Sequence, residues 1–486
     1  MTGTVESRSP EPLMALQLPP DHPREGDWRE CEGAQGDPIL EGNGIRWMAP
    51  TRAGAQRLLD HLLASGPELR SLAPAERARR LGRAGARFLD SRDPLRREAL
   101  HHLPHEAGLS PPAARELLDR MAGLWTPEIL QRLLDAEFPS PSALDQFQPG
   151  PEDHRVRAEG DAMALHVGAG NVAGVGATSI VRSLLVGTPL LMKPGLGDVV
   201  LPVLLARALA ASCPILAQGV AVVYWPGGEP AVLEELALAQ ARRVVVYGGL
   251  DTVASLRRRL PPTTPLVAYR HRVSAGAVGR ERLDAVEPAR ALAGAAARSV
   301  AAYDQMGCVS PHLIWVEVGG AVGPEEWAGL LASELQRVGR DFPPGPVPPE
   351  RAARIQQLRG EAELAQAMGE GARVWASSDS EWTVILESEF GFAFGPGGRL
   401  VRVQPVPSLE EIPELLRPYG PILQSLALEA TAGRREALAD ELGRVGVGRV
   451  TTFARQPWPA AWWIHDGQGP LRALVRWTAL ETDTEP

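Results

Sequence analysis

Short apolar runs alternate with helix-like segments between residues 162 and 260, and glycine-rich or proline-rich turns separate them. The predicted strands cover residues 162–167, 189–193, 220–224 and 243–247, and the predicted helices cover residues 178–185, 199–211, 231–241 and 250–260. Strands that alternate with helices in this way form a parallel sheet with helices on both faces. The sequence therefore predicts an α/β domain whose ligands bind at the carboxyl ends of the strands, where the glycine-rich turns fall.

Charge and composition exclude several classes of protein. The formal net charge is −9 and the arginines are interspersed with acidic residues, which argues against a nucleic-acid-binding surface. Residues 1–20 lack the basic start and apolar run of a signal peptide, and charged residues and prolines interrupt the most apolar region, residues 183–225. We therefore expect a cytoplasmic protein with no membrane span.

The sequence shows no pattern typical of a metal site or a disulfide framework. The three cysteines, Cys31, Cys213 and Cys308, are widely separated and form no CxxC pair. Residues 101–105 read His-His-Leu-Pro-His, but we expect Pro104 to break the helical spacing of these histidines. We therefore expect no metal, and a free thiol in a reducing compartment can act as a nucleophile.

Lysine is almost absent from the chain, which makes the one exception informative. Of the 50 Lys and Arg residues only Lys193 is a lysine, and Asn43 and Asn171 are the only asparagines. The chain is rich in Ala, Arg, Gly and Pro, as if a GC-rich coding bias had replaced Lys by Arg wherever the protein tolerated it. A lysine that remains under such a bias is a candidate for a residue that the chemistry of the protein requires. The alternative is that Lys193 remained by chance.

A glycine-rich loop follows the first strand of the alternating region, at residues 168–174. It reads Gly-Ala-Gly-Asn-Val-Ala-Gly and fits the loose G-x-G-x-x-G/A pattern of dinucleotide-binding loops. Glycine lets a backbone approach a phosphate, and a helix N-terminus favours anions. The acidic residue that the pattern places about 20 positions further on is absent, and Lys193 stands there instead. For Asn171, a helix cap or turn residue is the alternative to a ligand contact.

Cys308 has the sequence context of an accessible nucleophile. It lies in Tyr-Asp-Gln-Met-Gly-Cys-Val-Ser-Pro, residues 303–311, before an apolar run predicted as a strand over residues 312–318. A thiolate attacks an acyl group readily and later leaves, so a cysteine can carry an acyl intermediate. The thiol must ionise near neutral pH, which a helix N-terminus or His271 would favour. A buried structural role is the alternative, and it is the role we expect for the other two cysteines.

Several motifs in the same order resemble those of the aldehyde dehydrogenase superfamily, and most closely its long-chain acyl-CoA reductase branch, known from bacterial bioluminescence. The resemblance runs from about residue 150 to the end of the chain and is weak or absent over the first 45 residues. The matching segments are residues 166–179, Trp-Pro-Gly-Gly at 225–228, Tyr-Arg-His-Arg-Val-Ser at 269–274, residues 304–311 and His-Asp-Gly at 465–467. The resemblance implies an aldehyde dehydrogenase-like α/β fold, with a Rossmann-type cofactor domain and an α/β catalytic domain.

The resemblance also implies roles for individual residues. Cys308 is the nucleophile, Asn171 donates to the oxyanion together with the backbone N–H of Cys308, and Lys193 holds the cofactor ribose or phosphates. The glycines expected at the cofactor are Gly170, Gly195, Gly228, Gly248 and Gly249. Leu196 stands where NAD-preferring relatives carry a Glu that would repel a 2′-phosphate, so the implied cofactor is NADPH rather than NADH.

One departure from the superfamily bears on the reaction. Its hydrolytic members activate water with a Glu beyond the second cofactor loop, whereas residues 267–272 contain no carboxylate. We therefore expect acyl transfer to and from a thiol, with His271 as the acid/base, and a structural histidine is the alternative. The implied reaction is the NADPH-dependent reduction of a fatty acyl-CoA to the aldehyde through an acyl-cysteine thioester.

Other functions remain open at this point. One is the reduction of another activated acyl group, such as an acyl phosphate, an acyl adenylate or an acyl carrier protein. Others are an oxidising aldehyde dehydrogenase and a non-catalytic assembly subunit that kept the fold. An acyl-transferring synthetase is a further candidate partner.

Composition, periodicity and resemblance together predict the organisation of the whole chain. The last segment holds four of the twelve tryptophans and a predicted strand over residues 471–480, which packs either on another subunit or in the core. We expect a homo-oligomer. The predicted parts are a loosely held N-terminal arm (1–45), a helical N-terminal segment (46–150), a dinucleotide-binding domain (151–290), a catalytic domain (291–450) and a C-terminal association segment (451–486).

Overall fold

The chain divides into two compact units. The computed structural model describes residues 12–22, 26–31, 45–150, 154–228 and 231–481. The first unit takes in residues 1–108, 114–270 and 460–486, and the second takes in residues 109–113 and 271–459. The boundary after Arg270 therefore precedes the predicted one at residue 290. Most of the helical N-terminal segment and the end of the chain belong to the first unit.

Helices alternate with strands through both units. Proline occupies the first position of α2, α3, α4 and α5 as bounded below, where its missing N–H would have no partner within the helix. No helix in the described ranges is long and apolar enough to cross a membrane. The helices are α1 (Arg52–Ser71), α2 (Pro74–Ala86), α3 (Pro94–Glu106), α4 (Pro111–Gly123), α5 (Pro127–Glu137), α6 (Val175–Leu185), α7 (Val200–Ser212), α8 (Pro214–Gln218), α9 (Val232–Gln240), α10 (Leu250–Arg259), α11 (Val286–Ala301), α12 (Pro324–Asp341), α13 (Pro349–Ala367), α14 (Ile412–Leu416) and α15 (Ala432–Arg444).

The strands form four sheets within the described residues. Their orders are β11-β10-β7-β8-β9-β2, β14-β15-β16-β13-β12-β17-β18, β1-β4-β3 and β19-β6-β5. The strands are β1 (Leu13–Met14), β2 (Leu16–Gln17), β3 (Trp28–Cys31), β4 (Ile45–Pro50), β5 (Gln148–Pro149), β6 (His154–Gly160), β7 (Ala164–Val167), β8 (Leu190–Lys193), β9 (Val220–Val223), β10 (Arg243–Gly248), β11 (Leu266–Arg270), β12 (Val273–Val278), β13 (Pro311–Glu317), β14 (Arg373–Ala376), β15 (Thr383–Leu386), β16 (Leu400–Val406), β17 (Leu423–Glu429), β18 (Arg449–Thr451) and β19 (Val475–Glu481).

The largest sheet of the first unit is parallel except for β2, which runs antiparallel to β9. Every residue of β7 and β9 is buried, as expected for strands whose two faces are both covered by helices. The chain proceeds from β7 through β8 to β9 in one direction, and then from β10 to β11 in the other. The order therefore reverses between β7 and β10, and ligands of such sheets bind beyond the carboxyl ends of the strands at this reversal.

Each strand and helix predicted for residues 162–260 is confirmed, with boundaries displaced by at most three residues, and one short helix that was not predicted, α8, lies between α7 and β9. The helix predicted over residues 178–185, for example, begins at Val175, because Thr178 N–H already donates a helical hydrogen bond of 2.9 Å to the carbonyl of Gly174. The predicted α/β fold is confirmed in both units.

Residues 1–45 were predicted to form a loosely held arm, but the described part of this range contains strands. Strand β2 extends the parallel sheet, and Leu16 and Leu18 are buried. The two leucines alternate with Gln17 over only three residues, a pattern too short to indicate a strand. Residues 1–11, 23–25 and 32–44 of the predicted arm lie outside the described residues.

The expectation that Pro104 breaks the helix is wrong. Helix α3 continues through Pro104 and ends at Glu106. The proline lies in the last turn, where it removes only the hydrogen bond to the carbonyl four residues earlier. In the described residues no group of three or more His, Cys, Asp or Glu side chains is arranged to hold a metal ion.

The largest sheet of the second unit is parallel except for β14, which runs antiparallel to β15. Strands β12 and β13 lie near its centre, and Ile314 and Trp315 of β13 are fully buried. β13 begins three residues after Cys308. This central position fixes the segment that carries the candidate nucleophile.

A three-stranded antiparallel sheet of the first unit ends on strand β19. The strand begins at Val475, later than predicted, because residues Arg472–Leu474 form a 3-10 turn. Trp477 and Leu480 on β19 are partly exposed, at 43% and 38%. An exposed apolar edge strand is a feature of subunit contacts, and the association of subunits through this segment remains a prediction.

A buried ion cluster closes the carboxyl end of β13. Glu317 is fully buried, and its carboxylate accepts hydrogen bonds of 2.6 and 2.7 Å from Arg434 on α15. Arg434 also binds Glu410 and Glu281 at 2.6 and 2.9 Å. Hydrogen bonds from Arg434 hold the pKa of Glu410 at about 2, and they hold the pKa of Glu317 below its usual value against the effect of burial.

Replacing Arg434 with Met should destabilise the protein by about 3 kcal/mol near pH 7, because the buried Glu317 carboxylate loses its principal partner. Both carboxyls have lowered pKa values in the folded state, so their contribution is complete above the unfolded pKa near 4.5 and declines as pH falls towards 2. The difference between Arg434→Met and wild type in urea unfolding should therefore shrink below pH 4.5. Arg444→Met on the exposed end of the same helix is the control and should change stability by less than about 0.5 kcal/mol. A difference that is equal at pH 3 and pH 7 would contradict this account.

Candidate active site

Cys308 lies in the second unit, in a segment that we call the nucleophile loop, residues 302–310. This loop comprises the 3-10 turn Ala302–Gln305 and the residues that lead into β13. Cys308 is half-buried, and its backbone carbonyl accepts a 2.6 Å hydrogen bond from Ser274 Oγ on the neighbouring strand β12. The loop is therefore fixed to the amino-terminal end of the sheet, while the thiol is not enclosed in the core.

The nucleophile loop has a strained backbone. Tyr303, Asp304 and Gln305 have left-handed φ values of 56°, 48° and 65°. Each such residue costs roughly 1–3 kcal/mol and persists only where the surrounding contacts require it. The side-chain amide of Gln305 is buried and donates 2.8 Å hydrogen bonds to the carbonyls of Pro311 and Leu400. These bonds hold the strained turn between two strands of the sheet.

Asp304 supplies the second restraint on this turn. Its carboxylate accepts hydrogen bonds from Arg399 Nε and Nη2 at 2.9 and 2.6 Å, and a third from the backbone N–H of Gly345 at 2.9 Å. Arg399 is only 1% exposed and also donates to the carbonyl of Phe342 at 2.9 Å. Both guanidinium bonds reach the same carboxylate oxygen, Oδ1, and such charge-assisted hydrogen bonds are stronger than those between neutral groups.

A buried chain of hydroxyl and amide groups continues from the Ser274 hydroxyl that binds the loop. Ser274 Oγ lies 2.9 Å from Ser425 Oγ on β17. The amide of Gln456 donates to the carbonyl of Ala275 at 2.9 Å and accepts from Ser299 Oγ at 3.0 Å. Every link in this chain is a polar group with a partner, which is the condition for a buried network to add rigidity.

Asn171 lies in the first unit, in the glycine loop of residues 168–174 after β7, and it is exposed. This loop packs backbone against backbone on the turn that follows Lys193. A Cβ added to Gly170 would lie 1.5 Å from the carbonyl oxygen of Leu196, and one added to Gly195 would lie 2.4 Å from the backbone nitrogen of Gly170. The close approach of the two loops explains both glycines, and their contact with a cofactor remains a prediction.

Buried carboxylates occupy the helix N-termini behind this loop. Asp198 accepts 2.6 Å hydrogen bonds from the backbone N–H groups of Gly174 and Gly176 at the start of α6. Glu106 accepts a 2.7 Å bond from Val199 N–H, just before α7 begins. Burial raises the pKa of both carboxyls, that of Glu106 to about 7. The first N–H groups of α6 therefore already have a protein carboxyl group as their acceptor, and a phosphate at this glycine loop remains a prediction.

Lys193 ends β8 and its backbone carbonyl accepts from Gly168 N–H at 2.7 Å, so it lies beside the glycine loop. It is half-buried, with Nζ 5.5 Å from the centre of the Tyr224 ring. Burial lowers the pKa of Lys193, and the negative charge of Glu234 opposes that shift. Lys193 is thus an ammonium group held at the carboxyl end of the sheet.

Glu234 links Lys193 to the Trp-Pro-Gly-Gly motif. Its carboxylate accepts a 2.7 Å hydrogen bond from Trp225 Nε1 and pairs with Arg259. Neither Glu234 nor Arg259 lies near Lys193 in sequence, and the sequence analysis missed both. The Glu234 carboxylate therefore pairs with Arg259 and also acts on the charge of Lys193.

The second glycine loop is open, in contrast to the first. Gly249 is exposed and precedes α10, and because it has no side chain it cannot cap that helix. A Cβ added to Gly249 or to Gly228 would meet no atom within 4 Å. Gly228 also has a left-handed φ of 88°, which favours glycine. Helix α10, which follows β10 at the reversal of strand order, therefore begins without a side-chain cap.

Comparison with known proteins decides the family. The family model described as "Acyl-CoA reductase (LuxC)" matches residues 81–477. The chain belongs to the LuxC acyl-CoA reductase family. It is 24% identical over 404 residues to the "Long-chain acyl-protein thioester reductase" of Vibrio harveyi, an alignment that covers 82% of this chain and 80% of that protein.

Solved structures of aldehyde dehydrogenases share the fold of this LuxC-family chain. Aldehyde dehydrogenase 21 from Physcomitrella patens superposes with a TM-score of 0.73 at 12% identity and covers 96% of this chain and 98% of its own. NADP-dependent glyceraldehyde-3-phosphate dehydrogenase from Bacillus halodurans superposes with a TM-score of 0.66 at 16% identity, covering 94% and 96%. The resemblance to aldehyde dehydrogenases and to acyl-CoA reductases is therefore confirmed, and the LuxC-family chain is an oxidoreductase.

His271, the predicted acid/base, is the first residue of the second unit and is exposed. Its charge acts on His312, whose pKa is lowered to about 4, mainly by burial and in part by His271. His312 is the second residue of β13. Because its pKa is about 4, it is neutral at pH 7. The role of His271 in catalysis remains a prediction.

The His-Asp-Gly motif near the end of the LuxC-family chain takes part in a stack of four rings. The His465 ring lies 4.6 Å from the Tyr269 ring and 4.4 Å from the Trp463 ring, and Tyr247 stacks on Tyr269 at 4.6 Å. Asp466 and the next residue have left-handed φ values of 53° and 76°, so a tight turn presents the histidine to the stack. The motif therefore fastens the end of the chain to the ends of β10 and β11.

Proposed function

We propose that this LuxC-family chain reduces a fatty acyl thioester to the aldehyde with NADPH, through an acyl group carried on Cys308. The observation that carries the proposal is the nucleophile loop. A run of three left-handed residues is held by Gln305 and by the buried Asp304–Arg399 pair, and it leads to a cysteine that is only half-buried. Such strain is typical of functional sites, because folding alone gives no reason to keep it.

The first chemical step forms a bond between Cys308 Sγ and the acyl carbonyl carbon and breaks the bond to the leaving thiolate. Asn171 and the backbone N–H of Cys308 are the proposed donors to the oxyanion, and each such donor is worth about 3 kcal/mol. His271 is the proposed acid that protonates the leaving group. Residues 267–272 contain no carboxylate that would activate water, so the acyl group awaits reduction instead of hydrolysis.

The residues at the reversal of strand order fit a nicotinamide dinucleotide. The uncapped start of α10 at Gly249 provides backbone N–H groups for a phosphate, and Lys193 provides a positive charge at the same edge of the sheet. When bound, the cofactor supplies the hydride that brings the thioester to the aldehyde level. As the oxyanion of the reduced thioester re-forms its carbonyl, the C–S bond breaks, Cys308 leaves as the thiolate and the aldehyde is released.

NADPH fits this site better than NADH. Leu196 places no charge beside Lys193, and the charge of Glu234 is offset by Arg259. Glu234 is the carboxylate that acts on Lys193, and its pair with Arg259 reduces its repulsion of a 2′-phosphate.

Leu196→Glu should reverse the cofactor preference. A carboxylate within several ångströms of a 2′-phosphate costs about 1–4 kcal/mol, so kcat/KM for NADPH should fall at least about tenfold. The value for NADH should rise or stay constant. Leu196→Gln, which has the same size without the charge, is the control and should change both values equally. An unchanged NADPH preference in Leu196→Glu would contradict the placement of the ribose beside Lys193.

The acyl donor has two candidates, and a specific observation favours each. The family description names acyl-CoA, whereas the Vibrio harveyi relative is named as acting on an acyl-protein thioester. We propose acyl-CoA as a donor that the chain accepts directly. An acyl-protein supplied by a synthetase is the second candidate, because both donors present the same thioester to Cys308.

Aldehyde production from a panel of donors tests the proposal. Purified enzyme with NADPH should form aldehyde from long-chain acyl-CoA, and Cys308→Ala should lower the rate by more than about 10³-fold, as removal of a catalytic nucleophile does. Cys31→Ala, also at a half-buried cysteine, is the matched control and should retain activity. Activity with acyl-protein or acyl phosphate but not with acyl-CoA would overturn the proposed donor.

A further inference from the structure

Arg449 shares contact partners with the nucleophile loop, and it lies on an element that the sequence analysis did not single out. It is the first residue of β18 and is paired in register with Ser425 of β17. Its guanidinium donates hydrogen bonds of 2.8 Å to the carbonyl of Gln456 and 2.7 Å to the carbonyl of Arg455. These two bonds hold a half-buried positive charge in one place.

Two routes of contact connect Arg449 to the nucleophile loop. The first passes from its strand partner Ser425 to Ser274 at 2.9 Å and then to the carbonyl of Cys308 at 2.6 Å. The second passes through the segment that Arg449 binds, because Tyr303 Oη donates a 2.8 Å hydrogen bond to the carbonyl of Pro457. Arg449 and the nucleophile loop are therefore fixed against the same short segment, residues 455–457.

The charges that act on Arg449 agree with its hydrogen bonds and strand pairing. Burial lowers the pKa of Arg449 to about 10, and the charges of Tyr303 and Cys308 act in the opposite direction, while Arg455 adds a small lowering. With a pKa of about 10 the guanidinium is still protonated at neutral pH. A fixed, partly desolvated positive charge beside a thiol favours the thiolate, which is the reactive form.

We propose that Arg449 stabilises the Cys308 thiolate, both before it attacks the acyl group and when it leaves as the aldehyde is released. The thiol proton passes to solvent in the resting enzyme, so no other reactant is needed. This assigns to Arg449 the activation of the nucleophile that the sequence analysis gave to His271 or to a helix N-terminus. The importance of Arg449 for turnover rests on the proposed function, but the stabilisation of the thiolate does not.

Alkylation of the full-length protein by iodoacetamide tests the proposal without acyl donor or cofactor. The rate at Cys308 is followed across pH 6–10 by mass spectrometry of the peptide that contains it, which separates it from Cys31 and Cys213. Arg449→Gln keeps side-chain hydrogen-bond donors and removes the charge, whereas Arg449→Lys keeps the charge. The exposed neighbour Arg455 provides the matched control, Arg455→Gln.

We expect Arg449→Gln to move the midpoint of the alkylation profile about one pH unit higher. The rate at pH 7 should then fall about tenfold, and the rates should converge with wild type at alkaline pH. Arg449→Lys should restore most of the rate at pH 7, and Arg455→Gln should match wild type. A rate that falls equally at every pH in Arg449→Gln, or a profile that does not move, would overturn the proposal.

If Arg449→Gln does not fold, as judged by thermal melting, the Arg449→Lys profile decides. If the alkylation profile of Arg449→Lys has the wild-type midpoint, a positive charge at this position is sufficient and the proposal is supported. If that midpoint rises as far as the midpoint of a model thiol, the proposal is refuted. Because the assay needs no turnover, these outcomes are distinct from a failure of the proposed reaction. An enzyme that alkylates as expected but reduces no acyl donor would refute the proposed function alone.

Discussion

The left-handed turn before Cys308 is the constraint on which the candidate active site depends. Three consecutive residues, Tyr303–Gln305, adopt an unfavourable backbone, and contacts from β13, β16 and the buried Arg399 hold them there. An ordinary helical continuation of α11 would carry the chain away from the sheet. The strained turn instead returns it to the amino end of β13, where Ser274 fixes the backbone of Cys308. The nucleophile is therefore positioned by the centre of the sheet and not by a free loop.

The first unit uses its two glycine loops in different ways. The loop after β7 is packed closely on the turn after Lys193, and Asp198 and Glu106 occupy the helix starts behind it. The loop after β10 is open and ends in a helix start with no side-chain cap. The start of α10 is therefore the one we propose for a phosphate. The first loop serves to hold Asn171 and Lys193 at the same edge of the sheet.

Local sequence patterns were sufficient to predict the fold of the largest sheet of the first unit. They were also sufficient to select Cys308, Asn171 and Lys193 as candidate site residues. Strand and helix periodicity and glycine-rich turns act within about 30 residues, and the rarity of lysine is a property of the composition of the whole chain. The groups that hold these candidates in place could not be predicted, because they come from far along the chain. Arg399 is 95 residues from Asp304, and Glu106 is 93 residues from Val199. Without a pattern that links such positions, only the three-dimensional structure shows which charge meets which backbone group.

The central claim is that Cys308 carries the acyl group, and the mass of the intact protein tests it most directly. After mixing with a long-chain acyl-CoA in the absence of NADPH, the protein should gain the mass of one acyl group, located on the Cys308 peptide. Addition of NADPH should remove that mass as the aldehyde appears, and Cys308→Ala should never gain it. Aldehyde formation by Cys308→Ala at the wild-type rate, or turnover by an enzyme that is acylated at another residue, would contradict the account.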